Sequence, residues 1–67
     1  MNYSERIKEL RKEMRLSQKQ LADEIGISQS VLCDYENNKS EPTVSVILKL
    51  STFFDVSTDY LLGRKDW

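Results

Sequence analysis

Apolar residues recur along this chain at three- and four-residue intervals and never alternate, so the pattern predicts helices and no strands. Tyr3, Ile7, Leu10 and Met14 form one stripe, which predicts a first helix over about residues 3–14 with Asn2 as its cap. A second helix is predicted from about Gln18 to Ile25. Ser17 and Gln20 have capping-box spacing there, and Leu21, Ala22 and Ile25 share a face. Ser28 caps a third helix, with Val31, Leu32 and Tyr35 facing one way and Gln29, Ser30, Cys33 and Asp34 the other. Thr43 caps a fourth, whose core face is predicted as Val44, Ile47, Leu48, Ser51 and Phe54. Val46, Leu50 and Phe53 make a second apolar stripe on it, of which Leu50 is assigned to the core. Ser57 caps a fifth helix and Gly63 closes it. The fold class is all-α: five short helices in one domain over residues 1–67.

The stretch "QLADEIGISQSVL" breaks this regularity. A helix stops at Gly26 and a new one starts after Ser28. Glycine enters the left-handed conformation that ends a helix without steric cost. Two helices joined by so short a turn cross steeply, and Ala22 supplies the small residue their crossing needs. The third helix is thereby propped with its polar face outward.

Composition narrows the possible chemistry. The chain has 67 residues, a single cysteine and no histidine, which excludes an intrachain disulfide and a zinc cluster and removes the commonest general base. It also lacks a glycine-rich phosphate loop and a paired nucleophile and base, so it reads as no enzyme, with no cofactor, metal or small-molecule ligand. Membrane spans and signal peptides are absent from the pattern, which predicts a cytoplasmic protein. Net charge is only −1, but residues 1–20 hold six basic residues against three acidic ones.

The segment "SQKQLADEIGISQSVLCDYENNKSEP" resembles the helix-turn-helix of the Cro and phage-repressor regulators, the xenobiotic-response-element family. "ERIKELRKEM" before it and "LKLSTFFDVSTDYLLG" after it extend the similarity over nearly the whole chain. The resemblance implies a lambda-repressor-like five-helix domain, with a helix-turn-helix over about residues 18–36. Its third helix would enter the major groove of double-stranded DNA as part of a homodimer on a near-palindromic operator. The implied role is transcriptional regulation, chiefly repression, in a bacterial or phage-encoded, nucleoid-associated protein. The alternative is an antitoxin or protein-interaction adaptor on the same fold.

Residue by residue, the resemblance implies base reading by Gln29, Ser30 and Asp34. Amide and hydroxyl groups suit this, because each base pair displays its own donor and acceptor pattern in the major groove. Phosphate contacts are implied for Gln18, Lys19, Ser28, Asn37, Asn38 and Lys39. Relatives often have glycine where this chain has Asn38, and asparagine tolerates the same left-handed geometry. Arg11 and Glu36 match an ion pair that orients the reading helix. Two departures stand out. Asp34 is acidic where basic or amide residues are common, and Glu41 is a poor phosphate neighbour. Cys33 reads as a small residue on the outward face, with a redox switch as the alternative. For the dimer interface, Phe53, Val46, Tyr60 and Trp67 are the candidates, because aromatic residues dominate such contacts.

Overall fold

The computed structural model describes residues 2–66, in the order α1 (Tyr3–Glu13), α2 (Gln18–Ile25), α3 (Gln29–Glu36), α4 (Val44–Phe54) and α5 (Thr58–Leu61). Among the described residues there is no strand. Every helix begins on a side-chain cap. Asn2, Ser17, Ser28, Thr43 and Ser57 each accept a hydrogen bond from the backbone N–H three residues on. At Ser17 the predicted capping box is complete: the Gln20 side chain also accepts from the Ser17 N–H at 2.8 Å. Such caps contribute about 1 kcal/mol each, which matters in a domain with a small core.

That core consists of Ile7, Leu10, Leu21, Ala22, Ile25, Leu32, Tyr35, Val46, Leu50 and Leu61, drawn from all five helices. Ala22 is buried where α2 meets α3, as the short turn demands. Gly26 ends α2 at φ 77°, ψ 34°, and its N–H donates to the Ala22 carbonyl. A Cβ added at Gly26 would meet nothing within 4 Å. Glycine is therefore required there by backbone conformation alone, not by space.

Two predicted faces are wrong. Met14 does not complete the α1 stripe; it caps the helix and is 49% exposed. On α4 the buried face is rotated only part of the way from the predicted one: Ser51 is buried, Ile47 and Phe54 pack against the core, and Leu50 lies in it as assigned. Val46 and Leu50 are buried, whereas Val44 and Leu48, predicted as core, are 74% and 54% exposed. Val46 is therefore a core residue and is removed from the candidate dimer contacts. Apolar residues occupy so much of α4 that two stripes fit the helical period equally well. The fit against α2 and α5 decides between them. Phe53 and Phe54 are half-buried, with ring centroids 5.4 Å apart in an edge-to-face arrangement, and both pack against the core. Tyr60 is half-buried beneath the Arg6 guanidinium, whose carbon lies 3.8 Å from the ring centroid. Trp67 lies outside the described residues. Leu48 also borders an open groove between the end of α2 and α4, rimmed by Asp23, Glu24 and Lys49.

Candidate nucleic-acid interface

The orientation of α3 is set from behind by a buried charge network. Glu36, at its C-terminal end, has a side chain with no exposed surface. Its two carboxylate oxygens accept from Arg11 of α1, Oε2 from Nε at 2.7 Å and Oε1 from Nη2 at 3.0 Å. The remaining Arg11 nitrogen, Nη1, donates to the Leu16 carbonyl in the α1–α2 turn at 2.8 Å. Gln18, the first residue of α2, donates from Nε2 to Glu36 Oε1 at 3.2 Å. A planar guanidinium gripping a carboxylate through two bonds fixes angle as well as distance. One side chain of α3 is thus locked to α1 and to the start of α2, and Arg11 in turn is tied to the turn between them.

With the back of α3 so held, its front presents short polar groups. Gln29 and Ser30, in the first turn, are exposed. The Ser28 hydroxyl is occupied by the Val31 N–H at 3.2 Å and lies 3.2 Å from the Ser30 hydroxyl. Asp34 and Cys33, one turn later, are half-buried. The structure therefore brings Gln29 and Ser30 together at the leading end of the face and leaves Asp34 less accessible.

The sequence-predicted phosphate contacts fall into two groups. Gln18, Lys19 and Ser28 sit at the N-termini of α2 and α3, where first-turn N–H groups have no intrahelical acceptor. The Gln18 side chain is turned to Glu36, so its backbone N–H is the better donor outward. Lys19 pairs with Asp23 at 3.0 Å, but both are largely exposed, and such a pair holds its lysine weakly. Asn37, Asn38 and Lys39 follow α3. Asn38 takes the left-handed conformation at φ 59°, a geometry asparagine tolerates better than most residues.

Sequence reasoning missed how this second group is tied down. The Tyr3 hydroxyl lies 3.2 Å from both Asn38 Oδ1 and the Ser40 carbonyl, and the Ser4 hydroxyl lies 3.4 Å from the same Oδ1. Tyr3 is legible from the pattern only as an apolar stripe residue; its hydroxyl end carries no periodic signal. The left-handed backbones of Arg15 (φ 58°) and Asp55 (φ 57°) were also missed, because neither residue type announces that geometry.

The chain is similar to several known transcriptional regulators. The regulator ImmR of Bacillus subtilis (strain 168) is 38% identical over 66 residues, covering 98% of this chain and 52% of that protein. The RstR repressor of cryptic phage CTXphi, from Vibrio cholerae serotype O1, is 38% identical over 64 residues, covering 96% of this chain and 57% of that protein. The chain thus spans a little over half the length of these relatives. Among solved structures, the P22 c2 repressor bound to a synthetic operator superposes with a TM-score of 0.90 at 31% identity, over 97% of this chain and 98% of that one. A helix-turn-helix family model matches residues 7–61, and on these grounds the chain belongs to the helix-turn-helix regulators of the Cro and phage-repressor type.

Proposed function

We propose that this chain binds double-stranded DNA sequence-specifically and regulates transcription, chiefly as a repressor, by placing α3 in the major groove. It acts as a binding module and not as an enzyme. The observation that carries this reading is the pairing of an exposed amide and hydroxyl, Gln29 and Ser30, with a rigid buried anchor at the other end of the same helix. A helix that reads base edges needs both. Its tip must offer donors and acceptors, and its roll about its own axis must not drift. Gln29 supplies a bidentate amide suited to adenine, Ser30 a donor or acceptor, and Asp34 an acceptor for cytosine N4. The N-termini of α2 and α3, with Lys19 and Lys39, seat the domain on phosphates.

The proposed homodimer is compatible with the size of the domain. The domain's principal extents are 27 × 23 × 19 Å. Half-sites one helical turn apart lie about 34 Å from centre to centre, so two copies with their side chains come just into contact on one face of the duplex. The α4–α5 end, with half-buried Phe53 and Tyr60, is the proposed contact. The likeness to an operator-bound repressor supports the DNA reading, and a DNA-binding regulator of this kind works in the cytoplasm on the nucleoid. No helix among the described residues is long and apolar enough to cross a membrane.

Selection from random duplexes, followed by gel shifts at low and moderate salt, tests the proposal. One enriched motif with two half-sites about 10 base pairs apart is the expected result. Equal affinity for all duplexes, or no affinity for any, would favour the adaptor or antitoxin role instead.

A further inference from the structure

Three successive backbone N–H groups follow α3, and none is available to a ligand. Asn37 N–H donates to the Cys33 carbonyl at 3.0 Å, Asn38 N–H to Tyr35 at 3.3 Å and Lys39 N–H to Asp34 at 2.9 Å. Whatever these three residues offer to a phosphate must therefore come from their side chains. The two adjacent asparagines face opposite ways. Asn37 turns its amino group back onto α3, where Nδ2 donates to the Cys33 carbonyl at 2.9 Å and lies 3.1 Å from its sulfur. What it leaves outward is an oxygen, which a phosphate repels. Asn38 does the reverse. Its Oδ1 accepts from the Ser4 hydroxyl and shares the single Tyr3 hydroxyl proton with the Ser40 carbonyl, and no hydrogen bond among the described residues uses its Nδ2.

We infer that Tyr3 and Ser4 are positioning residues for DNA binding: their hydroxyls hold the Asn38 amide so that its Nδ2 group meets a backbone phosphate. This rests on the DNA-binding reading above and sharpens it, assigning the neutral phosphate donor of the loop to Asn38 and not to Asn37. The chemistry is consistent throughout. A hydroxyl can donate to an amide oxygen; the Ser4 proton and the Tyr3 proton shared with the Ser40 carbonyl both favour the oxygen on that side, which leaves the amino group for the other. Ser4 is buried, so its hydroxyl is itself held in place. An unconstrained asparagine would turn either end to a phosphate and lose rotamer freedom on binding; this one is already set. The clamp also spans from α1 to the loop after α3, so it acts on the binding surface without touching DNA.

The test is a double-mutant cycle on the selected duplex, with the folding of each variant checked by urea denaturation. Asn38→Gly keeps the left-handed turn and should weaken binding roughly three- to tenfold on selected and random duplexes alike. Its salt dependence should match the parent chain, because a neutral amide displaces no counterion. Lys39→Ala should instead lower the slope of log affinity against log salt by about 0.9. Tyr3→Phe retains the packed ring and should weaken binding about threefold in the parent chain and clearly less in the Asn38→Gly background, where only its contact with the Ser40 carbonyl remains to be lost. An equal effect of Tyr3→Phe in both backgrounds, or an Asn38→Gly variant that binds like the parent, would overturn the inference while leaving the DNA reading intact. A parent chain that binds no duplex would overturn both.

Discussion

Helices α3 and α4 carry opposite kinds of outward face and are held by opposite kinds of force. The front of α3 is polar, with Gln29 and Ser30, and its back is fastened by the Glu36 carboxylate. The front of α4 is apolar, with Val44 and Leu48, and its back is held by the packing of Val46 and Leu50. Hydrogen bonds and ion pairs are directional, so they specify the roll of a helix about its axis. Hydrophobic burial is not directional; it asks only that enough apolar area be covered. The helix proposed to aim side chains at another molecule is the one with directional anchors.

The largest effect should come from breaking the α3 anchor. Arg11→Met leaves the Glu36 carboxylate buried without its cation, and losing one partner of such a pair costs about 3–5 kcal/mol. Urea denaturation should show most of the domain's stability gone, with DNA binding lost alongside. On α4, Leu50→Ala should cost about 2–4 kcal/mol by leaving a cavity. Leu48→Ala, at a half-exposed site, should stay within about 1 kcal/mol. Equal losses at the two leucines would refute the assignment of the buried face. Gln29→Ala should leave the urea midpoint unchanged yet weaken binding to the selected duplex by about 1–3 kcal/mol, with preference relaxed at one base pair. The smallest effects concern the left-handed caps. Arg15→Gly and Asp55→Gly should each stabilise the fold by up to about 1 kcal/mol, since glycine relieves the Cβ clash of that conformation. Asn38→Gly should gain less, because it also gives up the hydroxyl contacts; thermal melts of the three variants make the comparison.

The same contrast explains what was legible in the sequence. Helix ends were readable because Ser17, Ser28, Thr43 and Ser57 are local signals, satisfied within three residues. The α2–α3 turn was readable because Gly26 and Ala22 are small for separate, local reasons. The roll of α3 was readable because its polar and apolar residues segregate. On α4 they do not, and the choice between Val46 and Val44 was made by distant surfaces on α2 and α5 that no local pattern encodes. The candidate site divides likewise. Gln29, Ser30 and the Arg11–Glu36 pair lie on recognisable motif positions, whereas the Tyr3 and Ser4 hydroxyls reach Asn38 across more than thirty residues of chain.

The charge network behind α3 leaves the helix at its far end, through Glu36, while Gln29 and Ser30, two of the three residues proposed to meet base edges, occupy its first turn. Fastening and reading are therefore separable by substitution. Positions 29 and 30 can be exchanged for other polar side chains with little penalty to folding, so a combinatorial library there should yield domains with new operators on an unaltered chassis. Diversification of this kind would let one ancestral scaffold serve many different control sites.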